Sequence, residues 1–157
     1  MKRILAQSLA ISGYLLFLAC GSVLASESRT AKPGPDEAIA ILKAGNERYF
    51  SGNAARPHAD AARIALSGKE DQGNYAYATV ITCFDSRVPV EIIFDAGVMD
   101  LFVIRVAGNV LDVDEIGSVE YGLAHDHTPV FVVLGHTQCG AVTARYNGCG
   151  KRKPLKS

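Results

Sequence analysis

The 157-residue sequence lacks an excess of charge of either sign, a dense set of cysteines and any internal repeat or low-complexity tract. Sixteen basic residues balance sixteen acidic ones without a basic stripe, which argues against nucleic-acid binding. Four scattered cysteines are too few for a disulfide scaffold. With 48% hydrophobic and 20% charged residues the chain can bury a core, so the composition predicts one soluble globular domain of the α/β or α+β class.

Residues 1–25 have the pattern of a secretory signal peptide. The positive segment Met1-Lys2-Arg3 precedes a mostly apolar run, and Val23-Leu24-Ala25 fits a small-residue cleavage site. The apolar run is interrupted and shorter than the roughly 20 residues that a membrane-spanning helix needs, so we expect export to the periplasm or the exterior rather than a membrane anchor. The alternative is a bacterial lipoprotein, because residues 18–21 loosely resemble a lipoprotein cleavage box that would leave Cys20 lipidated.

After a polar lead-in over residues 26–35, a domain is expected over residues 36–145. Apolar residues at helical spacing predict a first helix from Pro35 to a stop near Gly52, a shorter helix over 59–66 and a polar loop over 67–74. Short apolar runs then predict three strands, over 78–83, 101–106 and 130–134. Helical stretches are predicted over 89–94, over 114–125 and from 140 onward. Strands that alternate with helices, and whose apolar residues run continuously rather than at every second position, predict an α/β fold whose parallel sheet has helices on both faces.

Chemically useful side chains follow the predicted strands. Cys83 ends the first strand, and Asp85 and Arg87 come directly after it, while His136 and Cys139 follow the third strand. Ligands of parallel α/β sheets bind outside the carboxyl ends of the strands, so these residues converge if the first and third strands are neighbours. Two cysteines and one histidine form a zinc ligand set that leaves a fourth position open, as catalytic zinc sites do. Thiolate ligands disfavour magnesium and calcium.

Each of these residues also has a simpler interpretation. Cys83 alone is typical of a small buried apolar residue, and His136 alone of a hydrogen-bonded loop residue. In an exported chain Cys83 and Cys139 could form a disulfide. Asp85 and Arg87 could be an ordinary surface ion pair. The combination of Cys-x-Asp-x-Arg with His-x-x-Cys, each directly after a strand, favours the metal site.

Two segments together resemble the β-class carbonic anhydrases: Cys83-Phe84-Asp85-Ser86-Arg87-Val88-Pro89 and Gly135-His136-Thr137-Gln138-Cys139-Gly140. Three further segments agree with that family, at 45–49, 105–109 and 118–122. The resemblance extends over residues 38–144 and covers most of the chain.

The resemblance implies zinc-dependent, reversible hydration of carbon dioxide to bicarbonate and a proton. It places one zinc ion on Cys83, His136 and Cys139. It gives Asp85 the role of accepting a hydrogen bond from the attacking hydroxide, and Arg87 the role of keeping Asp85 ionised and aimed. In some members the matching aspartate occupies the fourth zinc position in an inactive form. The family also implies a homodimer or a higher homo-oligomer, with carbon dioxide and bicarbonate as its small-molecule partners.

Several features lie outside the family pattern. Asn74 stands where many relatives carry a substrate-orienting glutamine, and Gln72 lies two residues earlier. His125 and His127 fall outside the motifs, and solvated positions are favoured over a proton-shuttle role. The basic tail over residues 146–157 does not resemble the family's continuation, so we expect a domain whose C-terminal part is missing. A non-catalytic, zinc-binding remnant of the same family is therefore the alternative function.

Overall fold

Three parallel strands form the centre of the structure, a computed structural model that describes residues 32–146. The strands are β1 (Ala78–Cys83), β2 (Leu101–Val106) and β3 (Phe131–Leu134), in the order β2-β1-β3. The predicted parallel sheet is thus confirmed, and the first and third strands are neighbours, which is the condition for the convergence of the residues that follow them. The expected signal segment with Cys20, most of the lead-in and the tail beyond 146 lie outside the described residues.

Five α-helices accompany the strands in the described part of the chain: α1 (Pro35–Phe50), α2 (Ala61–Ser67), α3 (Val90–Ile93), α4 (Val113–Glu120) and α5 (Gly140–Tyr146). Local sequence signals explain their starts. Pro35 occupies the first turn of α1, the Asp60 carboxylate caps α2, and Asp112 forms a capping box with Glu115 at the start of α4. None of the helices within 32–146 is long and apolar enough to cross a bilayer.

The predicted helix over 114–125 is observed in two parts. Regular α4 ends at Glu120, and a wider π-helical turn continues over Tyr121–His125. Gly122 in this turn lies directly against β1, because an added Cβ atom there would be 2.3 Å from Thr79 Oγ1. The predicted polar loop over 67–74 also contains a short 3₁₀ turn at Gln72–Asn74.

Helices lie on both faces of the sheet. On one face, Leu42 of α1 and Val90 of α3 join Val80 in the main apolar core. On the other face, Tyr121 contacts the Phe102 ring edge-to-face with centroids 6.3 Å apart. The central strand β1 is buried along its whole length, as its β-branched sequence predicts.

The strand β3 is less completely covered than β1. Its residues alternate in burial, and Phe131 and Val133 are 37% and 60% exposed. Both side chains lie on the face shared with Ile81, since Ile81 pairs with Val133 in the parallel register. The reason is positional: β3 is an edge strand of the described sheet, and no described helix covers this part of the face.

Candidate metal centre

Cys83, His136 and Cys139 meet at the carboxyl edge of the sheet. Cys83 is the last residue of β1, while His136 lies two residues beyond the end of β3 and Cys139 lies directly before α5. Because Thr82 pairs with Leu134 in register, both strands deliver the next residues to the same edge. One potential ligand atom from each of the three residues lies within 4.8 Å of the others, so the predicted convergence is confirmed.

The donor atoms suit a tetrahedral zinc ion. The two sulfur atoms are 3.8 Å apart, which is about the separation of two thiolates that each lie about 2.3 Å from one tetrahedral zinc. His136 Nδ1 lies 3.1 Å from the carbonyl oxygen of Thr137. A hydrogen bond donated from Nδ1 fixes the tautomer in which the Nε2 lone pair is free to bind a metal. Nε2 is buried without a hydrogen-bond partner, as expected for an atom that awaits a ligand.

The environment of Cys83 favours its thiolate form. Hydrogen bonds from the main-chain amides of Asp85 and Gly108 lower the pKa of the Cys83 thiol to about 6, and the nearby His136 ring acts in the same direction, although burial acts in the opposite one. The thiolate is the form that binds metals. Cys83 and Cys139 are free thiols, 2% and 8% exposed respectively. The disulfide alternative is therefore absent from this structure.

Asp85 and Arg87 lie beside the three donors and form a two-point ion pair. Arg87 Nε is 2.9 Å from Asp85 Oδ1, and Arg87 Nη2 is 2.7 Å from Oδ2. Hydrogen bonds from the side chain and the main chain of Arg87 hold the pKa of Asp85 well below its usual range, so the carboxylate stays ionised. Asp85 Oδ2 is 3.9 Å from His136 Nε2. The carboxylate therefore borders the position that a fourth ligand would occupy.

The two loops that carry the donors are tied to each other and to β2. Arg87 Nη2 lies 3.4 Å from the carbonyl oxygen of Gln138, which joins the Cys83 loop to the Cys139 loop. The Arg105 guanidinium donates to the main-chain carbonyl oxygens of Cys83, Phe84 and Asp85, at 3.4, 3.2 and 2.8 Å. The bonds from Arg105 thus hold the backbone at Asp85, and the bonds from Arg87 hold the Asp85 side chain.

The sequence predicted no role for Arg105 or Gly108. Both belong to the segment over 105–109, at the carboxyl end of the second strand, whose only signal in the sequence is its family resemblance. The available signal was the placement of a basic residue and a glycine at the carboxyl end of the strand beside β1. Their contacts with Cys83 and its loop depend on strand pairing, which residue spacing does not specify.

Other residues singled out from the sequence lie away from the donors. Asn74 precedes β1, at the edge of the sheet opposite Cys83, and Gln72 Nε2 donates to the carbonyl oxygen of Leu101 at 2.8 Å. His125 and His127 precede β3 and are exposed, and the His125 ring stacks on Tyr121 at 4.8 Å. Within one chain, none of these residues is brought to the metal centre.

The fold and the site together define a parallel α/β protein with a two-cysteine, one-histidine metal centre at the carboxyl edge of its sheet. A family model described as carbonic anhydrase matches residues 78–156. The chain is 43% identical over 110 residues to carbonic anhydrase 2 of Mycobacterium tuberculosis, a match that covers 70% of this chain and 52% of that protein. The carbonic anhydrase of Mycolicibacterium smegmatis matches with the same identity and coverage.

A solved structure supports the same assignment. The β-carbonic anhydrase CcaA is 28% identical, with a TM-score of 0.50 over 74% of this chain and 58% of that chain. The chain thus belongs to the carbonic anhydrase family, and its fold is that of the β class. It spans about half the length of the curated relatives that it matches.

Proposed function

We propose that this protein catalyses the reversible hydration of carbon dioxide to bicarbonate and a proton, with zinc held by Cys83, His136 and Cys139. The observation that carries the proposal is the unpartnered, buried Nε2 atom of His136 beside two free thiols and the Asp85–Arg87 pair. Family membership supplies the reaction class. When bound, zinc lowers the pKa of a coordinated water from 15.7 toward about 7, which supplies hydroxide at neutral pH.

The residues around the donors would orient the reaction. Asp85, ionised and held at two points by Arg87, can accept a hydrogen bond from the attacking hydroxide and direct a lone pair toward carbon dioxide. The Arg87 bond to Gln138 keeps this carboxylate in register with the Cys139 loop. The same ion pair opposes the inactive arrangement in which an aspartate occupies the fourth zinc position, because that movement would break two charge-assisted hydrogen bonds.

Zinc content and hydration rate test the proposal together. Protein purified without chelators or added metal should contain about one zinc per chain, and Cys139→Ser should lose most of it. Asp85→Ala should keep its zinc and lose most of its hydration activity, as followed by stopped-flow acidification. Asp114→Ala, on the exposed first turn of α4, is the matched control and should change neither quantity. Full zinc without hydration in the unmodified protein would support the non-catalytic alternative instead.

We further propose that the chain forms a homodimer or a higher homo-oligomer. Large apolar side chains next to the site favour a covering partner: Phe84, directly after Cys83, is 64% exposed, and Val133 at the sheet edge is 60% exposed. Sedimentation equilibrium should give a mass of at least two chains. Phe84→Ser should shift that equilibrium toward the monomer, whereas a monomeric unmodified protein would contradict the proposal.

Residues 1–25 support a proposal of export to the periplasm or the exterior. The positive start, the apolar run and the small-residue site at Val23-Leu24-Ala25 are the features on which it depends. Mass spectrometry of the protein recovered from an expressing bacterium should find Ser26 as the first residue. A lipid-modified Cys20 at the N-terminus would favour the lipoprotein route, and retention of Met1 in the cytoplasmic fraction would contradict export.

A further inference from the structure

The chain beyond β2 crosses the end of β1 and returns to Cys83. Cys83 pairs with Val106 in the parallel register, and the amide of Phe84 donates to the carbonyl oxygen of Val106 at 3.1 Å. Two residues further along, the amide nitrogen of Gly108 lies 3.3 Å from Cys83 Sγ, and both residues are buried. A main-chain donor from the turn that follows β2 thus reaches the sulfur directly.

The local backbone explains why glycine occupies this position. Gly108 has φ +69° and ψ 24°, the left-handed conformation that residues with a Cβ atom adopt at a cost. A Cβ atom there would also lie 3.3 Å from Ala141 Cβ and from Val142 Cγ2 at the start of α5. Because α5 begins directly after Cys139, this turn is packed between the Cys83 thiol and the helix that follows the second cysteine. A side chain at 108 would have to displace the turn or the helix.

We propose that Gly108 is a positioning residue for the metal centre, whose main-chain N–H donates to the Cys83 sulfur and limits the negative charge that this thiolate passes to zinc. The inference rests on the proposed zinc site and extends it. Thiolate ligands donate charge and so oppose the acidification of a zinc-bound water, and hydrogen bonds to ligating sulfur offset that donation. Gly108 therefore adjusts the metal through Cys83 without touching the metal or the substrate.

The unmodified protein allows a direct test with ¹¹³Cd in place of zinc and ¹⁵N labelling. A hydrogen bond from an amide to a cadmium-bound sulfur transmits a scalar coupling between the amide proton and the metal. We expect such a coupling at Gly108. The amide of Asp85, which also hydrogen-bonds Cys83, provides an internal reference within the same spectrum. A coupling at Asp85 with none at Gly108 would overturn the inference.

Zinc affinity gives a second test that uses matched glycine variants. Gly108→Ala should weaken zinc binding about tenfold, the low end of the loss seen when a partner of a metal ligand is removed. Gly52→Ala is the control, because Gly52 has a similar φ of +74° but no atom within 4 Å of an added Cβ and no contact with the donors. It should retain the zinc affinity of the unmodified protein in a competition with a chromophoric chelator. Equal affinities in both variants would contradict the proposed role of Gly108.

The two tests separate this inference from the proposed function. If Gly108→Ala does not fold, the cadmium coupling in the unmodified protein decides the question. Cadmium bound without a coupling at Gly108 would overturn this inference and leave the proposed zinc site intact. Failure of the unmodified protein to bind either metal would overturn both.

Discussion

The sulfur atoms of Cys83 and Cys139 lie 3.8 Å apart, although 56 positions separate the two residues in the sequence. This distance suits two ligands of one metal ion and is too long for a disulfide, whose sulfur atoms are about 2.05 Å apart. It is nevertheless short enough for a small local movement to join them. The metal and the disulfide therefore compete for the same two thiols.

Oxidation of the metal-free protein should reveal that competition. In a variant with Cys20→Ser and Cys149→Ser, incubation of the metal-free protein with glutathione disulfide should consume both remaining thiols. Cys83 and Cys139 would lose two protons and two electrons, and the glutathione disulfide would be reduced to two glutathione molecules. The zinc-loaded protein should keep both thiols in a titration under denaturing conditions. An equal loss of thiols in the zinc-loaded and the metal-free protein would contradict the binding of one zinc ion by both Cys83 and Cys139.

Cys83 should ionise at a lower pH than an ordinary cysteine. In the metal-free variant with Cys20→Ser, Cys139→Ser and Cys149→Ser, the ultraviolet absorbance of the thiolate should titrate with a midpoint near pH 6, because main-chain amides favour the charged form. A midpoint near the ordinary cysteine pKa of about 8.5 would contradict the stabilisation of the Cys83 thiolate by these amides. The pKa of Cys83 is lower in the folded state than in the unfolded state. Its ionisation therefore contributes fully to the free energy of unfolding above about pH 8.5, and this contribution is lost as the pH falls toward 6.

Arg87→Lys should separate the alignment of Asp85 from metal binding. Lysine keeps the positive charge but cannot make the two parallel hydrogen bonds of the guanidinium. We expect full zinc content and a fall in kcat of about ten- to hundredfold. Arg63→Lys is the control, because Arg63 also binds a carboxylate and a carbonyl group, at Asp100 and Val98, but at the opposite edge of the sheet. A comparable fall in kcat in Arg87→Lys and Arg63→Lys would indicate a general effect on folding and would contradict the specific role of Arg87.

Asp95→Asn should destabilise the protein without affecting the metal centre. The buried carboxylate accepts hydrogen bonds from Arg48 Nε at 2.5 Å and from the amides of Ala55 and Arg56, each at 2.9 Å. Removing its charge should lower the free energy of unfolding in urea by about 1–3 kcal/mol at neutral pH. Asp36→Asn, at an exposed position in the first turn of α1, should have a smaller effect.

The difference in the free energy of unfolding between Asp95→Asn and the unmodified protein should shrink in acid. Burial alone raises the pKa of Asp95, but hydrogen bonds from Arg48, Ala55 and Arg56 outweigh it and lower the pKa overall. A carboxylate with a depressed folded-state pKa contributes fully above its unfolded pKa of about 3.9, and the contribution is lost as the pH falls through the folded-state value. A stability difference that grows on acidification would contradict this assignment.

Gly45→Ala and Gly117→Ala should change stability in opposite directions. An added Cβ atom at Gly45 would lie 1.8 Å from the carbonyl oxygen of Phe94, whereas at Gly117 it would meet nothing within 4 Å. We expect Gly45→Ala to cost about 1–3 kcal/mol through overpacking and Gly117→Ala to gain up to about 1 kcal/mol through helix propensity. Thermal denaturation distinguishes them, and two variants of equal stability would show that α1 can move away from α3.

Much of the fold could be predicted because the relevant signals are local. The apolar runs at β1 and β2 gave the observed strand bounds, and Pro35 marked the first turn of α1. The break between α4 and the π-helical turn could not be predicted, because it depends on the close approach of Gly122 to Thr79 on another element. The exposure of Val133 likewise depends on which elements cover the sheet edge and not on the residues of β3.

Residue order alone specifies the donor chemistry of this chain: two thiols, one imidazole and a carboxylate–guanidinium pair, each at or beyond the carboxyl end of a strand. Side-chain chemistry and strand periodicity are properties of short segments and can therefore be predicted from residue order. The three-dimensional fold was needed to show that β1 lies between β2 and β3, that His136 Nε2 is left without a partner, and that the Gly108 amide reaches Cys83 Sγ. These relationships join segments far apart in the chain, and they are set by packing and strand pairing, which no short segment encodes.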